Sequence, residues 1–262
     1  MSKLGETVLS RLSLSPGEPE YLNNTYEERH IDINVNINDF KRTFPSIEKL
    51  IADKHVLDIG CSEGIETFAL CKLGARSAYG IDIRIPQPQH KLTLEVYENY
   101  DTQFSIMDAA HMSFPDAKFD VAVTCGSFEH FNDPFLVLRE CRRVVKPGGL
   151  ILLTSGVWAH PWGAHMNFFT RVPWVQYLFS ERTIMDVRKR FRNDGANRFH
   201  EVEGGLNKIG IRAFHDMIEA LDLKIDYLKL QPVKNLTALT RIPYINELFT
   251  NLIIAILRTR SE

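Results

Sequence analysis

The sequence predicts an α/β protein built on a doubly wound sheet, and three observations carry that expectation. Val56-Leu57-Asp58-Ile59-Gly60-Cys61-Ser62-Glu63-Gly64, followed by Ile65 to Leu70, has the pattern of a short buried strand, a glycine turn and the first turns of a helix. Short apolar strands and helical stretches then alternate up to Thr154, the order that a doubly wound sheet requires. The 262 residues suffice for one sizeable core with insertions and are too few for two comfortable enzyme domains.

Composition excludes several classes. The chain is 44% hydrophobic and 24% charged with a formal net charge of -2, which is ordinary for a globular protein and argues against a dedicated nucleic-acid binder. Cys61, Cys71, Cys125 and Cys141 form no Cys-x-x-Cys pair, so neither a zinc site nor a disulfide framework is indicated, and a reducing, cytoplasmic setting is expected. No apolar signal core opens the chain, and no run reaches the ~18 apolar residues of a membrane-spanning helix.

Residues 1–44 are expected to form an N-terminal arm and helix, and 45–262 the main domain. Ser15-Pro16-Gly17-Glu18-Pro19 and Asn23-Asn24 punctuate rather than build structure, while Leu4, Val8, Leu9, Leu12 and Leu14 suit a short helix on a partner surface. A helix is expected from Phe40 to Ala52, with Ile47, Leu50 and Ile51 on one face. Val56, Leu57 and Ile59 suit a strand covered on both faces, and Gly60 lets the backbone turn where a side chain would meet a ligand. Strand, glycine turn and helix N-terminus together present backbone N–H groups to a polar ligand. Similar turns occur in domains that bind nothing, but Ala78-Tyr79-Gly80-Ile81-Asp82 adds a second strand ending in an acid roughly 20 residues on, placed to accept both hydroxyls of a ribose. The helix at 62–73 ends at Gly74. Leu92, Leu94, Val96 and Tyr97 mark another helix, and Gln103 to Met107 a third strand that ends at Asp108-Ala109. Phe119 to Thr124 is the fourth strand, Pro134 to Val145 a helix, and Lys146-Pro147-Gly148-Gly149 a turn launching the fifth strand, Leu150 to Thr154.

Asp58-Ile59-Gly60-Cys61-Ser62-Glu63-Gly64 resembles the first motif of the class I S-adenosylmethionine-dependent methyltransferases, departing from it at Ser62, where the middle glycine would stand. The ordered run of Phe119-Asp120, Glu129-His130 and Lys146-Pro147-Gly148-Gly149 is similar to the subgroup typified by ubiquinone-biosynthesis and other small-molecule methyltransferases. The motifs span residues 54–156. The resemblance implies a Rossmann-like seven-stranded sheet, mostly parallel with the last strand antiparallel, and an inserted lid after the fifth strand at about 157–208. It implies S-adenosylmethionine as cofactor and S-adenosylhomocysteine as product, held by Asp58, Gly60, Cys61, Ser62, Gly64, Asp82, Ile83, Asp108, Ala109 and Cys125. Asp108 and Ala109 would meet the adenine. Lys224 to Leu230 then reads as a sixth strand and Asn251 to Leu257 as the seventh, antiparallel one.

Methyl transfer needs alignment and exclusion of water rather than a nucleophilic residue, and a hydroxyl acceptor is helped by a base near neutral pKa. His160 and His165 in the insertion and His130 after the fourth strand are the candidates. His160 and His165 lack the helical spacing that aims two imidazoles at one ion, so no metal is expected. Trp158, Trp162, Phe168, Phe169 and Trp174 suit either a sugar-stacking wall or the insertion's own core. Arg182, Arg188, Lys189, Arg190 and Arg192 suit either a solvated face or an anchor for a phosphate or sulfate on the acceptor. Phe169 to Phe179 and Leu239 to Phe249 echo one another, which suits a shared lid, a homodimer contact or a weak membrane-surface contact. The resulting expectation is an O-methyltransferase of a small-molecule or sugar-like acceptor. Two rivals stand beside it: a non-catalytic S-adenosylmethionine-binding scaffold, and a nucleic-acid or protein methyltransferase docking through residues 182–192.

Overall fold

The computed structural model describes residues 2–13, 33–84, 100–202 and 205–260. The punctuated stretch from Ser15 and the helix expected around Leu92 to Tyr97 lie outside the described residues. The chain opens with α1 (Ser2–Leu12), followed by α2 (Ile33–Thr43) and α3 (Ile47–Ile51). The single helix expected over 40–52 is therefore split and begins earlier. Pro45 disfavours a helical Phe44 before it, and Ser46 adopts a left-handed φ of 57°, so the chain kinks between the two helices. Ile33 and Phe40 are the buried residues of α2 and hold it against the core.

The sheet contains β1 (His55–Ile59), β2 (Ser77–Asp82), β3 (Thr102–Ile106), β4 (Phe119–Thr124), β5 (Val145–Gly156), β6 (Lys224–Pro232) and β7 (Thr250–Arg258). Its order is β3-β2-β1-β4-β5-β7-β6. Only β7 runs antiparallel, pairing with β5 on one side and β6 on the other. This is the seven-stranded, Rossmann-like sheet expected, with its switch point between β1 and β4. β5 starts five residues before the expected Leu150, because Lys146-Pro147-Gly148-Gly149 stays in the strand as an irregularity rather than a separate turn. The register against β4 slips between Phe119 and Val121. Gly148 takes a φ of 75°, and a Cβ on Gly149 would lie 2.6 Å from the Asp120 carbonyl oxygen.

Alternation along the strands divides the core in two. Leu57, Ile59, Ala122, Ile151, Leu153, Ala255 and Leu257 face α5 (Pro134–Val144) and α8 (Ile211–Ala220). Val56, Val121, Val123, Leu152, Ile254 and Ile256 face α2, α3 and α4 (Ile65–Lys72). Such two-sided burial is why these strands read as continuous apolar runs. Asp133 caps α5 by accepting from the Leu136 N–H at 3.0 Å, with Pro134 in the first turn, an arrangement worth about 1 kcal/mol.

The segment after β5 builds a third core around Met166, Phe169, Ile184, Met185, Val187 and Phe199, with α6 (Val175–Leu178) and α7 (Glu181–Arg188). Leu9 of α1 is buried in that same core. A Cβ on Gly5 would sit 3.3 Å from the Thr183 methyl, so α1 and α7 approach closely. Both echo segments leave the carboxyl edge of the sheet and are built alike. Trp174 and Tyr244 take φ of 54° and 70°, each followed by a one-turn helix, α6 and α9 (Asn246–Phe249). They meet where Trp174 packs edge-on against Phe249, and they leave Tyr177, Leu178, Ile242 and Tyr244 exposed. No helix among the described residues is long and apolar enough to cross a membrane.

Candidate active site

The carboxyl ends of β1 and β2 converge because their parallel register sets Ile59 beside Ile81. Gly60 then turns with a φ of 78°, and a Cβ on it would lie 2.5 Å from Ser127 Oγ, so only glycine fits between β1 and the loop after β4. Ser62 follows at a φ of 46°, and its N–H donates to Asp82 Oδ2 at 3.0 Å. The other Asp82 oxygen accepts from the Arg84 N–H at 2.9 Å. The carboxylate is thus fixed by two backbone donors and keeps lone pairs for a diol.

A cavity of about 410 Å³ opens there, lined by Gly60, Ser62, Asp82, Ile83, Asp108 and Ala109 and, across from them in the sequence, Ser127, His130 and Phe131. Asp108 is exposed and turns back on its own loop, accepting from the Ala110 N–H at 2.9 Å and pairing with His111 Nδ1 at 3.0 Å. The His111 bond, then the backbone bond, holds its carboxyl below the usual range. A second depression of about 370 Å³ shares Gly60, Ser62 and Ser127 and is lined further by Asn36, Cys61, Glu66 and Cys125. Burial, and then the charge of Asp58, pushes the Glu66 carboxyl up, and burial likewise raises Asp58. The chemistry of this donor set suits a nucleoside bearing a cationic tail: a diol acceptor at one end, and at the other a half-buried acid, Glu66, backed by the buried Asp58, whose ionisation a bound cation would favour.

Asp58 and Gly64 line neither cavity. Asp58 is buried beneath the turn with Oδ2 accepting from Thr67 Oγ1 at 2.6 Å, and Gly64 precedes α4 at a φ of 82°. Each shapes the turn from behind.

The three candidate histidines part company. His130 lies in a 3-10 turn, Phe128–His130, and its Nδ1 is 2.6 Å from the Gly205 carbonyl oxygen. A carbonyl only accepts, so Nδ1 carries the hydrogen, and in the neutral tautomer the lone pair is on Nε2. His165 packs edge-on against His130 with ring centroids 5.2 Å apart, and burial, then the neighbouring His130, depresses its pKa. His130 and His165 both line a third cavity of about 460 Å³ inside the insertion, with Met166, Asn167, Phe168, Arg188, Arg192 and Val202. His160 lines none of the three cavities. It is 5% exposed, its Nδ1 accepts from the Trp162 N–H at 3.2 Å, and burial pushes its pKa down to about 4.

The aromatic and basic residues of the insertion are likewise sorted. Trp158, Phe168 and Phe169 join the insertion's core, Phe168 at the edge of its cavity. Arg182 pairs with Asp186, Lys189 with Asp186 and Asn197, and Arg190 with Ser10, while Arg188 is buried. Residues 182–192 therefore do not form one continuous basic face.

Glu66, Asn36, Ser127 and Asn207 escaped the sequence reading. Asn207 Nδ2 donates to the carbonyls of Phe128 and Phe131 at 2.8 and 3.0 Å, its Oδ1 accepts from the Ile209 N–H at 3.0 Å, and its own N–H donates to the Glu129 carbonyl at 3.0 Å. It clamps the turn that carries His130. Glu66 had one local signal, an acid in the first turn after the glycines, whereas Asn36 and Asn207 act across long stretches of chain.

Residues 57–153 match the family described as "Methyltransferase domain". Over 108 residues the chain is 30% identical to the tRNA U34 carboxymethyltransferase of Nautilia profundicola, covering 40% of this chain and 35% of that protein. Over 109 residues it is 38% identical to the ubiquinone biosynthesis O-methyltransferase of Pseudomonas aeruginosa, covering 40% of this chain and 45% of that protein. The chain thus spans less than half the length of either relative. Among solved structures, an S-adenosylmethionine-dependent methyltransferase from Methanosarcina mazei superposes with a TM-score of 0.56 at 19% identity, covering 84% of this chain and 99% of that one.

Proposed function

We propose that the chain is a class I S-adenosylmethionine-dependent methyltransferase and that it methylates an oxygen of a small-molecule or sugar-like acceptor, with His130 receiving the acceptor's proton. The observation that carries this reading is the place of His130, which borders both the nucleoside-sized cavity and the cavity within the insertion. In this reading Gly60, Ser62, Asp82, Asp108 and Ala109 hold the nucleoside end, and Cys61, Glu66 and Asn36 face the charged end. Bound there, S-adenosylmethionine supplies a methyl group already activated on a sulfonium. What remains for the protein is to align the acceptor and exclude water, which the insertion at 157–208 does by standing over the carboxyl edge of the main domain. The Gly205 carbonyl fixes the His130 tautomer, so Nε2 is the atom that takes a hydroxyl proton. The O-methyltransferase relative supports a small-molecule acceptor. The scattered basic residues of 182–192 do not favour docking on a polyanion.

Two variants test the reading. Asp82→Ala removes charge-assisted ribose contacts and lowers S-adenosylhomocysteine affinity by roughly tenfold or more in calorimetry. His130→Gln retains cofactor binding and lowers turnover on a responsive acceptor by about 100-fold. Unchanged affinity in folded Asp82→Ala refutes the cofactor site, and near-normal turnover in His130→Gln refutes the base.

A further inference from the structure

The two echo segments share a surface chemistry that neither the core nor the cavities use. Of the large apolar side chains that the described residues leave exposed, Tyr177 and Leu178 stand in the first echo, and Leu236, Ile242 and Tyr244 in the loop joining β6 to β7. Trp174 and Tyr244 hold equivalent left-handed positions, yet Trp174 turns inward against Phe249 while Tyr244 is 95% exposed. A left-handed backbone is costly for an aromatic residue, and here it carries a ring that covers nothing in the core. The two segments are neighbours. Beyond the contact of Trp174 with Phe249, Tyr177 lies in the field of Glu247, since burial and then that charge raise its hydroxyl pKa. Lys234 Nζ lies 5.9 Å from the Trp162 ring centroid, which ties the loop to the insertion. Single apolar residues on a surface are ordinary, whereas a group of them at one edge marks a contact.

The same surface is basic. Arg171, Lys234 and Arg241 are exposed. The sequence has no aspartate or glutamate from residue 157 to 180 or from 227 to 246, although the chain as a whole carries a formal charge of -2. Glu247, which ends the second stretch, is turned onto the start of α8, where its Oε1 accepts from the Arg212 N–H at 3.0 Å. A second copy of the chain is a poor cover for such a face. In a two-fold contact the patch meets itself, which sets these cations against one another with no acid of either stretch between them. A layer of anionic phospholipid headgroups complements both features. The cations meet phosphate oxygens, while tyrosine rings and aliphatic side chains enter the boundary beneath.

We infer that the first echo and the loop between β6 and β7 form a docking surface for an anionic bilayer. Docked there, the carboxyl edge of the sheet faces the membrane. The inference goes beyond methyl transfer and does not depend on it.

Flotation of the full chain with phosphatidylcholine vesicles containing phosphatidylglycerol, and with vesicles of phosphatidylcholine alone, tests this. Preferential binding to the anionic vesicles is expected, weakened roughly fivefold for each cation removed and so about thirtyfold in Arg171→Gln with Arg241→Gln. Leu178→Ser with Tyr244→Ser is expected to lose roughly tenfold or more. Circular dichroism and urea midpoints matching the wild type show that the variants fold, and where a double variant does not, Arg241→Gln and Tyr244→Ser alone take its place. Absence of binding to the anionic vesicles, equal binding to both kinds, or binding that either folded variant leaves unchanged overturns the inference. So does a dimer in analytical ultracentrifugation that dissociates in Leu178→Ser with Tyr244→Ser, because the face then covers a second copy.

Discussion

Asn207 offers a test of how the insertion holds the turn that carries His130. Its side chain makes three bonds: two donated to the Phe128 and Phe131 carbonyls and one accepted from the Ile209 N–H. At about 1 kcal/mol net per bond, Asn207→Ala should lose about 3 kcal/mol, a large part of the roughly 5–15 kcal/mol that holds a typical domain together. Asn207→Asp should lose more, because it keeps the acceptor for Ile209 but turns a second oxygen toward two carbonyls that need a donor. Urea unfolding of the three proteins, saturated with S-adenosylhomocysteine and free of it, measures the series. His130 is read in parallel from its imidazole NMR signals, since loosening the turn also loosens the Nδ1–H bond to Gly205. A stability order of wild type, then Ala, then Asp is expected. An Asp variant as stable as the wild type, or an Ala variant within about 1 kcal/mol of it with unaltered His130 signals, would refute the clamp.

Two further predictions concern pH. Glu66 is pushed up to about 8 by burial and then by Asp58, so a cation bound beside it must displace a proton. S-adenosylmethionine affinity should therefore rise with pH towards 8, with close to one proton released near neutrality in calorimetry across buffers of different ionisation enthalpy; Glu66→Gln should remove that release, and an unchanged release would exclude Glu66 as its source. His160 titrates near 4 in the folded chain and near the ordinary ~6.5 when unfolded, so its contribution is complete above ~6.5 and is lost as pH falls towards 4. That amounts to about 2 kcal/mol between pH 8 and pH 5, read from urea midpoints; His160→Asn should flatten this part of the pH profile, and parallel profiles would show that the ring is not buried neutral.

The sheet was legible where two-sided burial writes itself into the sequence. β1, β2, β3 and β4 fall within a residue or so of the expected strands; β1 and β4 do so because each is a buried apolar run followed by a glycine turn, whereas β3 is polar and half-exposed and was legible from the acid that follows it. The early start of β5 was not legible. Lys-Pro-Gly-Gly has the local chemistry of a turn, and it stays in the strand because Thr259, at the far end of β7, exchanges backbone bonds with Gly148 and Gly149. α2 was hidden for a related reason: Asn34, Asn36 and Asn38 lower helix propensity, and the burial of Ile33 and Phe40 overrides it. The glycine turn and the acids at 82 and 108 could be read because a dinucleotide-type site is built from consecutive residues at strand ends. Which histidines border a cavity could not, since His130 is placed by a carbonyl 75 residues away and His160 is buried away from all three cavities.

That long-range bond bears on how such an insertion can be reshaped without disturbing the sheet beneath it. The segment leaves β5 at Gly156 and returns at residues 205–209, where Asn207 and Gly205 fasten the turn after β4 and Trp158 N–H donates to the Ile209 carbonyl at 2.9 Å. Exit and re-entry are thus tied to each other and to the turn that carries His130 within a few residues. The residues between them, together with Leu9 of α1, form a core of their own. Met166, Phe168 and Val202 belong both to that core and to the wall of the third cavity, whereas the backbone anchors at its two ends do not. The orientation of His130 depends on the anchors and the shape of the third cavity on the core, so the two can vary separately. On this division, a substitution among the residues of that core alters the third cavity, and one at Asn207 alters how firmly the turn carrying His130 is held.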